Sequence, residues 1–486
     1  MKASLLTRRT LLHRALVSSG VATMAGVSGR RMLAQEPGRV PLALALARVL
    51  NRVRFTDLPP VAVTHAKMIL ASTLASSAPG ALIGSARIVR DLAKEQGGRP
   101  DASLWFDGTK LPLTQAARVN AMFSDAAASD DSDLRNVAHT GTCLSAVGLA
   151  ICERMAGTGQ DALTAIVTGY EAAGRIGEAL SGDLNGFHPS VIVAFGGTVA
   201  AAKLLKLTDE QMAHAISMTA TTMGGLFIGT NSWAREYHAG NAALCALNAA
   251  QAAGRGYTVN DNMLEARGGF LAAFGGGKAD AGRLARETGK DWDIVKYLAI
   301  KLVPGVHPLQ ASAEAAGNAA RQANARPEDI AKILISGPQT RDVSVSARPP
   351  KDMVEAIHSL PYFVASAVAD KEFSWVHATP EKIHSPVVAR LIGLVEADPM
   401  PPQVHYDWSW GGTVTIVTKS GVRFTSTVDA PKGSGPRGIE WSDVEAKYRA
   451  LFPESGLPSK RMEEILSQIH DFDQVKNVAE FARLLH

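Results

Sequence analysis

The chain has 486 residues, more than one hydrophobic core ordinarily holds, so the length implies two domains and a leader. Hydrophobic residues make up 46% and charged residues 20%, the balance of an ordinary globular protein. Of the formal charge of +4, six bases (Lys2, Arg8, Arg9, Arg14, Arg30, Arg31) fall with no acid in residues 1–34, which leaves the remainder near −2. The folded part therefore lacks the basic stripe of a nucleic-acid binder.

Residues 1–34 read as a twin-arginine signal peptide. Arg8-Arg9 stands in the basic region, a mildly apolar stretch runs from Ala15 to Val27, and Ala34 closes it before Gln35. Its serines and glycines make it too short and mild for a permanent membrane anchor. The expectations are the twin-arginine export machinery as a partner and a periplasmic or secreted product.

From about Leu42 to Ala285 the pattern is helical almost throughout. Pro59-Pro60 opens one helix, and further helices are predicted at 113–128, 144–156, 162–180 and from Val191. Thr208 with Gln211 three residues on forms a capping box. The helix it starts carries an apolar stripe of Met212, Ile216, Met218 and Met223. Another helix follows His238 by way of Ala239-Gly240. Abundant alanine and glycine with only 6% aromatics favour close helix crossings lined by small side chains.

The character changes near Trp292. Residues 331–337 read as a strand, and 413–428 alternate around Lys419-Ser420-Gly421 as a hairpin. Helices are predicted at 310–322, 353–369 and 380–396. After Pro431 the pattern is helical again, with Ser442 and Asp443 suited to cap the first helix. The fold class is therefore mainly α. A large all-helical domain comes from both chain ends (35–293 and 432–486), and a smaller α+β lid domain from 294–431.

Cys143, Cys152 and Cys245 are widely spaced in apolar, helix-like surroundings, which suits small buried hydrophobes, with a disulfide left open. No CxxC or HExxH motif offers a zinc site, and no cysteine cluster offers an iron–sulfur site. Neither a metal nor a cofactor is expected.

Several stretches, in order along nearly the whole chain after the leader, resemble the MmgE/PrpD family. They are DDSDLRNVAHTGT, TAIVTGYEAAGRIGEAL, GFHPSVIVAFGGTVAAAKLLKLTDEQMAHAIS, AREYHAGNAA, LEARGGFLAAF, IKLVPGVHP and EAIHSLPYFVASAV. The resemblance implies a helical domain plus lid, a homodimer, and a metal-free site between the two domains. The implied chemistry is proton abstraction next to a carboxylate of a small di- or tricarboxylate.

Such chemistry builds negative charge on a carbon beside an anion. It needs cations or donors for the carboxylates, and a base and an acid of suitable pKa. His188 matches the family's GFHP histidine, and as an ordinary histidine it could instead cap or pack. Arg235 stands where decarboxylase-like members carry lysine. Its fork can hold a carboxylate through two parallel hydrogen bonds but cannot shuttle protons; the alternative is a surface pair with Glu236. His238 lines the site or braces the loop. Lys301 matches a family lysine facing substrate, the alternative being a surface lysine at a strand end. His307 contacts substrate or fixes a hinge.

Dehydratase-type members show DxDDT and a His-Pro where this chain has Asp130-Asp131-Ser132-Asp133 and His139-Thr140. The acids there orient His139 or bind a substrate hydroxyl, or else form a solvated loop that caps the next helix. The family tyrosine ahead of the EAIHS stretch has no counterpart in Val343–Pro349. Catalytic roles are thus expected for His139, His188, Lys301 and Asp131, and substrate binding for Arg235, His238, His307, Asp130 and Ser132. The expected activity is a lyase of the hydro-lyase kind, with decarboxylation beside it. An epimerase using His139 or His188 against Lys301, or a non-catalytic carboxylate-binding protein, would carry the same residues.

Overall fold

Proline, capping boxes and small residues account for most of the helical scaffold. The computed structural model describes residues 40–486 apart from 182–183, 285, 287–288, 290, 341–347 and 407–409. The leader and the segment of the missing tyrosine, save its last residues, lie outside the described residues. Pro60 opens the helix Pro60–Gly80, where its missing N–H costs nothing. Thr158 and Thr208 close capping boxes with Asp161 and Gln211 at the heads of Gly159–Ala179 and Asp209–Thr222. The stripe on the latter is buried at Met212, Ile216 and Met223, with Met218 half-buried.

The small residues act at the crossings. Gly169 on Gly159–Ala179 faces Gly196 on Ser190–Leu204, and a methyl on Gly169 would stand 2.7 Å from the Gly196 carbonyl oxygen and 2.4 Å from a Leu144 methyl. Alanine there would push the helices apart and lose dispersion contacts along the seam.

Two hydrophobic clusters form within the single compact unit Pro41–His486. The larger joins residues 42–302 to the C-terminal helices, with Tyr448, Phe452, Ile465, Ile469 and Phe481 buried against the N-terminal ones. The smaller spans Leu309 to Val428. It wraps the helices His307–Ala323 and Leu360–Asp370 around a sheet of four strands. Ile330–Ser336 is parallel to Val395–Ala397 and antiparallel to Gly412–Thr418, which turns through Gly421 (φ +85°) into Arg423–Val428. Burial of Ile333, Ile335, Val414 and Ile416 on this sheet stabilises by about 1.5–3 kcal/mol for each side chain.

Several boundaries differ from the sequence reading. The 353–369 helix is two, Met353–Ala356 and Leu360–Asp370, because Ser359 caps a new start with Pro361 in its first turn. Pro386 likewise divides 380–396 into Pro380–Ile383 and Pro386–Ile392. Ser442 and Asp443 are not caps. The helix begins at Trp441 after Glu440, and Asp443 pairs with Lys432 at 2.5 Å instead. The helix expected after His238 starts at Ala234, so Arg235 and His238 lie within its first turns. All three cysteines are free, and burial pushes their thiols up.

Among the short strands that went unforeseen are Asp131–Asp133 and its antiparallel partner Leu298–Ile300. A buried charge network sets their register. Arg175, wholly buried, binds Glu171 at 2.8 Å and the carbonyls of Leu284 and Arg286. Asp293 accepts from Arg135 at 2.6 Å and Arg286 at 2.9 Å, and its backbone N–H donates to Glu171. The network fastens Leu284, Arg286 and Asp293 to Gly159–Ala179, just ahead of Leu298–Ile300 beside the acidic strand. Among the described residues, no single helix is long and apolar enough to cross a membrane.

Candidate active site

Side chains alternate across a strand, and here the alternation sorts the acids. Asp130 and Ser132 face one way, Asp131 and Asp133 the other. All four are buried, against the solvated-loop alternative.

On the first face Asp130 gathers two cations. Its Oδ1 accepts from Lys301 Nζ at 2.8 Å, and its Oδ2 lies 2.6 Å from His139 Nδ1. Oδ2 is close enough for an ion pair yet has no aligned hydrogen bond. Burial alone would raise this carboxyl's pKa, but His139 and Lys301 together hold it well below the usual range. Lys301 is 1% exposed, so it is no surface lysine.

His139 precedes the helix Thr140–Met155. Its Nδ1 lies 2.9 Å from the Asp131 carbonyl oxygen, which can only accept, so Nδ1 carries the proton. Nε2 is then the nitrogen left for a ligand. An anion behind the ring supports the positive form when Nε2 takes a proton, the logic of an Asp–His pair. Ser132 Oγ bridges His139 Nδ1 (3.4 Å) and His307 Nδ1 (2.9 Å). His307 is fully buried against Trp410, its rings 6.3 Å apart and nearly parallel, with Nε2 unpartnered. Burial, Lys301 and His139 hold its pKa well below normal.

His188 approaches from the head of Ser190–Leu204. The Ser190 N–H donates to its Nδ1 at 3.2 Å, so the neutral ring carries its proton on Nε2. Burial and the cationic neighbours His139, His238 and Arg235 push its pKa down to about 3. His188 is therefore a neutral donor across the physiological range. His238 lies tilted against it, ring centres 4.8 Å apart and planes 52° apart, and its buried Nδ1 has no hydrogen-bond partner among the described residues.

Arg235 is buried, and its partner is Asp125 (3.5 Å) rather than Glu236, which binds Ser85. Its Nη2 donates to the carbonyls of Asp125 and Ala126 at 2.9 and 3.1 Å, where Leu113–Ala126 ends. The two-pronged grip on substrate is thus not free, although the charge remains at the pocket wall. Asp125, His139, Thr142, His188, Ser190 and Arg235 are among the residues lining a small, nearly closed pocket of about 10 Å³.

Asp131 does not join this group. Its Oδ2 accepts from the Gly141 N–H at 3.1 Å, its Oδ1 is unpartnered, and burial and Asp130 raise its pKa to about 7. A methyl on Gly141 would stand 2.3 Å from that Oδ1, so only glycine admits the carboxyl to the helix start. Asp133 turns the same way, towards Arg135.

Three residues near the site escaped the sequence reading. Asp125 sits at a helix end with no motif. His358, inside the EAIHS stretch, has an unpartnered buried Nε2, and burial followed by Arg235 pushes its pKa down to about 4. Lys447 comes from the far C-terminal helix and binds Ser72 Oγ at 2.6 Å.

Asp125, Asp130 and His139 bring ligand atoms within 4.8 Å of one another, the geometry of a small cation site. The fit fails on charge. Both carboxylates are already matched by Arg235 and Lys301, and a divalent ion would sit against two fixed cations. A larger cavity is lined by Trp375, Lys432 and Lys447 among others, but it contains neither Asp130 nor the site histidines, so the smaller pocket is the candidate.

An Asp–His pair, a neutral histidine donor and fixed cations around one pocket make up equipment for moving a proton on an anionic molecule. Residues 44–281 match the MmgE/PrpD N-terminal domain and 304–471 the MmgE/PrpD C-terminal domain, and the chain belongs to this family. It is 24% identical over 422 residues to the cis-aconitate decarboxylase of Homo sapiens, covering 84% of this chain and 86% of that one. With the Mus musculus enzyme of the same name it shares 24% over 404 residues, 80% of each chain. A third, from Aspergillus terreus, is 32% identical over 178 residues, 34% of this chain and 36% of that one. These relationships support a lyase-type function.

Proposed function

We propose that the protein is a lyase that moves a proton beside a carboxylate of a small di- or tricarboxylate, with decarboxylation as the favoured outcome. The observation that carries this reading is the Asp130–His139 pair, whose Nε2 is the free nitrogen at the pocket. In a decarboxylation the bond from carbon to the departing carboxylate breaks, and its electron pair stays on the carbon, shared with a remaining unsaturated carboxylate. Carbon dioxide leaves, and His139, protonated at Nε2 from solvent beforehand, donates that proton to the carbon. Asp130 stabilises the imidazolium, while His188 Nε2–H and the charge of Arg235 hold the substrate's anionic oxygens.

Two features favour decarboxylation over loss of water. A departing hydroxyl needs an acid besides His139, and of its neighbours among the described residues His188 stays neutral, Asp131 faces away and Lys301 is held by Asp130. The named relatives are decarboxylases of cis-aconitate, so an unsaturated tricarboxylate of that kind is the first substrate to try. Epimerisation by two opposed bases is disfavoured because Lys301 and His139 converge on the same Asp130 carboxylate.

The deciding experiment is proton NMR in heavy water on a panel of small di- and tricarboxylates with the mature protein. Release of carbon dioxide with one deuteron placed on the product supports the reading. A dehydrated or epimerised product reassigns the reaction, and binding without exchange or conversion leaves a carboxylate-binding protein. We also infer a homodimer, supported by the exposed large apolar side chains Leu226, Phe227, Ile228, Trp233 and Tyr237, close together along the chain. Ile228→Glu should yield a monomer in light scattering. Export through the twin-arginine route predicts an intact mass that begins after Ala34, and an uncleaved cytoplasmic product would refute it.

A further inference from the structure

The chain from Asp125 to Asp130 is fastened carbonyl by carbonyl from distant parts of the sequence. Arg235 Nη2 donates to the carbonyls of Asp125 and Ala126, the Gly305 N–H to that of Ala128, and the Lys301 N–H to that of Asp130. Lys447 Nζ donates to the Ser129 carbonyl, between these two, from 318 residues away along the chain. Within this stretch Ala128 holds φ +48°, a left-handed conformation that an alanine keeps only when its surroundings impose it.

Lys447 itself is 1% exposed. Its other partner is Ser72 Oγ, on Pro60–Gly80, and the Trp375 ring centre lies 5.9 Å from Nζ. Among the described residues no carboxylate lies within ion-pair distance of it. A lysine buried without an acid of its own is costly, several kcal/mol in general, and a leucine or methionine would fill the same space. Burial lowers the Lys447 pKa to about 7, with Asp130 opposing that shift, and Nζ is oriented on the carbonyl immediately before Asp130.

We propose that Lys447 is a positioning residue of the site: by binding the Ser129 carbonyl it fixes the backbone from which the Asp130 carboxylate reaches Lys301 and His139. Its role in turnover rests on the lyase reading above, whereas its hold on the backbone does not. Without it Ala128 relaxes out of its strained conformation, and the 2.6 Å approach of Asp130 to His139 loosens.

The test compares Lys447→Met and Ser72→Ala with the full-length wild type by steady-state kinetics and by hydrogen–deuterium exchange mass spectrometry. Lys447→Met keeps the length of the side chain and removes the donor and charge. It should lower kcat by about 10²-fold, as small misplacements of reacting groups do, with KM changed less than about threefold. Exchange should quicken in peptides spanning 127–134 while the Trp441–Leu451 helix stays protected. Ser72→Ala, which removes one anchor of the ammonium, should move both readouts the same way by less, and it decides the matter if Lys447→Met does not fold. Unchanged kcat per folded molecule, or loosening confined to Trp441–Leu451, would overturn the proposal. A wild type that converts none of the acids refutes the lyase reading instead, and the exchange pattern then decides the role of Lys447 alone.

Discussion

Replacing Asp130 by asparagine isolates the interaction on which the site is built. The Asp130–Lys301 pair is 2.8 Å long and essentially without solvent. At an effective dielectric of about 20 its attraction is about 6 kcal/mol, from which desolvation of both ions takes back a large part. Removing one partner leaves Lys301 charged and buried alone, a cost of about 3–5 kcal/mol. The assay is equilibrium urea unfolding followed by circular dichroism at pH 7, for Asp130→Asn, Lys301→Met and the double variant. The double variant should lose less than the sum of the singles, since it leaves no orphaned charge. Asp130 has a depressed pKa in the folded state, so its contribution is present above the ordinary carboxylate pKa and is lost as pH falls through the folded value. The gap between wild type and Asp130→Asn should therefore be constant near neutrality and shrink only in acid, below about pH 4. An Asp130→Asn variant within about 1 kcal/mol of wild type at pH 7, or strict additivity in the double, would refute the buried-pair argument.

Gly141→Ala forces a methyl against Asp131 Oδ1 and an Ile69 methyl 2.6 Å away. It should cost about 1–3 kcal/mol, read as a lowered melting temperature. Asp131→Asn tests the opposite sign of linkage. The wild-type carboxyl has a folded pKa raised to about 7, so its stabilising protonated form is complete below the ordinary carboxylate pKa and lost as pH rises through 7. The amide does not titrate, so the variant's melting temperature should gain on wild type between pH 5 and pH 8; parallel curves would contradict it. His188, with its pKa pushed down to about 3, should leave the acid limb of the pH–rate profile above pH 5 to other groups. His188→Gln, which keeps a neutral donor, should lower turnover without moving that limb, and a shifted limb would reassign the titrating group.

Most of the residues that the fold gathers at the candidate site were visible in the sequence. His139, His188, Lys301, Arg235 and His307 stand in local motifs, and the fold brings all five around Asp130 or the pocket. The acidic stretch was visible only as a composition. Asp131–Asp133 is three residues long and polar throughout, so it shows no hydrophobic alternation. Which carboxyl faces His139 is a matter of strand phase, and a shift of one residue exchanges Asp130 for Asp131. Asp125 and Lys447 carried no signal that separates a site residue from an ordinary helix or loop residue, whereas His358 stood inside the EAIHS stretch without being singled out.

What the sequence determined by itself are the properties set by neighbours along the chain. They include the capping boxes at Thr158 and Thr208, the hairpin at Gly421, the apolar stripe from Met212 and the succession of family motifs. Charge and protonation at the site were decided by tertiary structure alone. Lys301, Lys447 and Arg235 reach residues 125–130 across gaps of 171, 318 and 110 positions. The physical reason is that a carboxyl's pKa and a histidine's tautomer depend on burial and on the charges and donors within a few ångströms. No local pattern encodes those neighbours when they arrive from remote helices and strands.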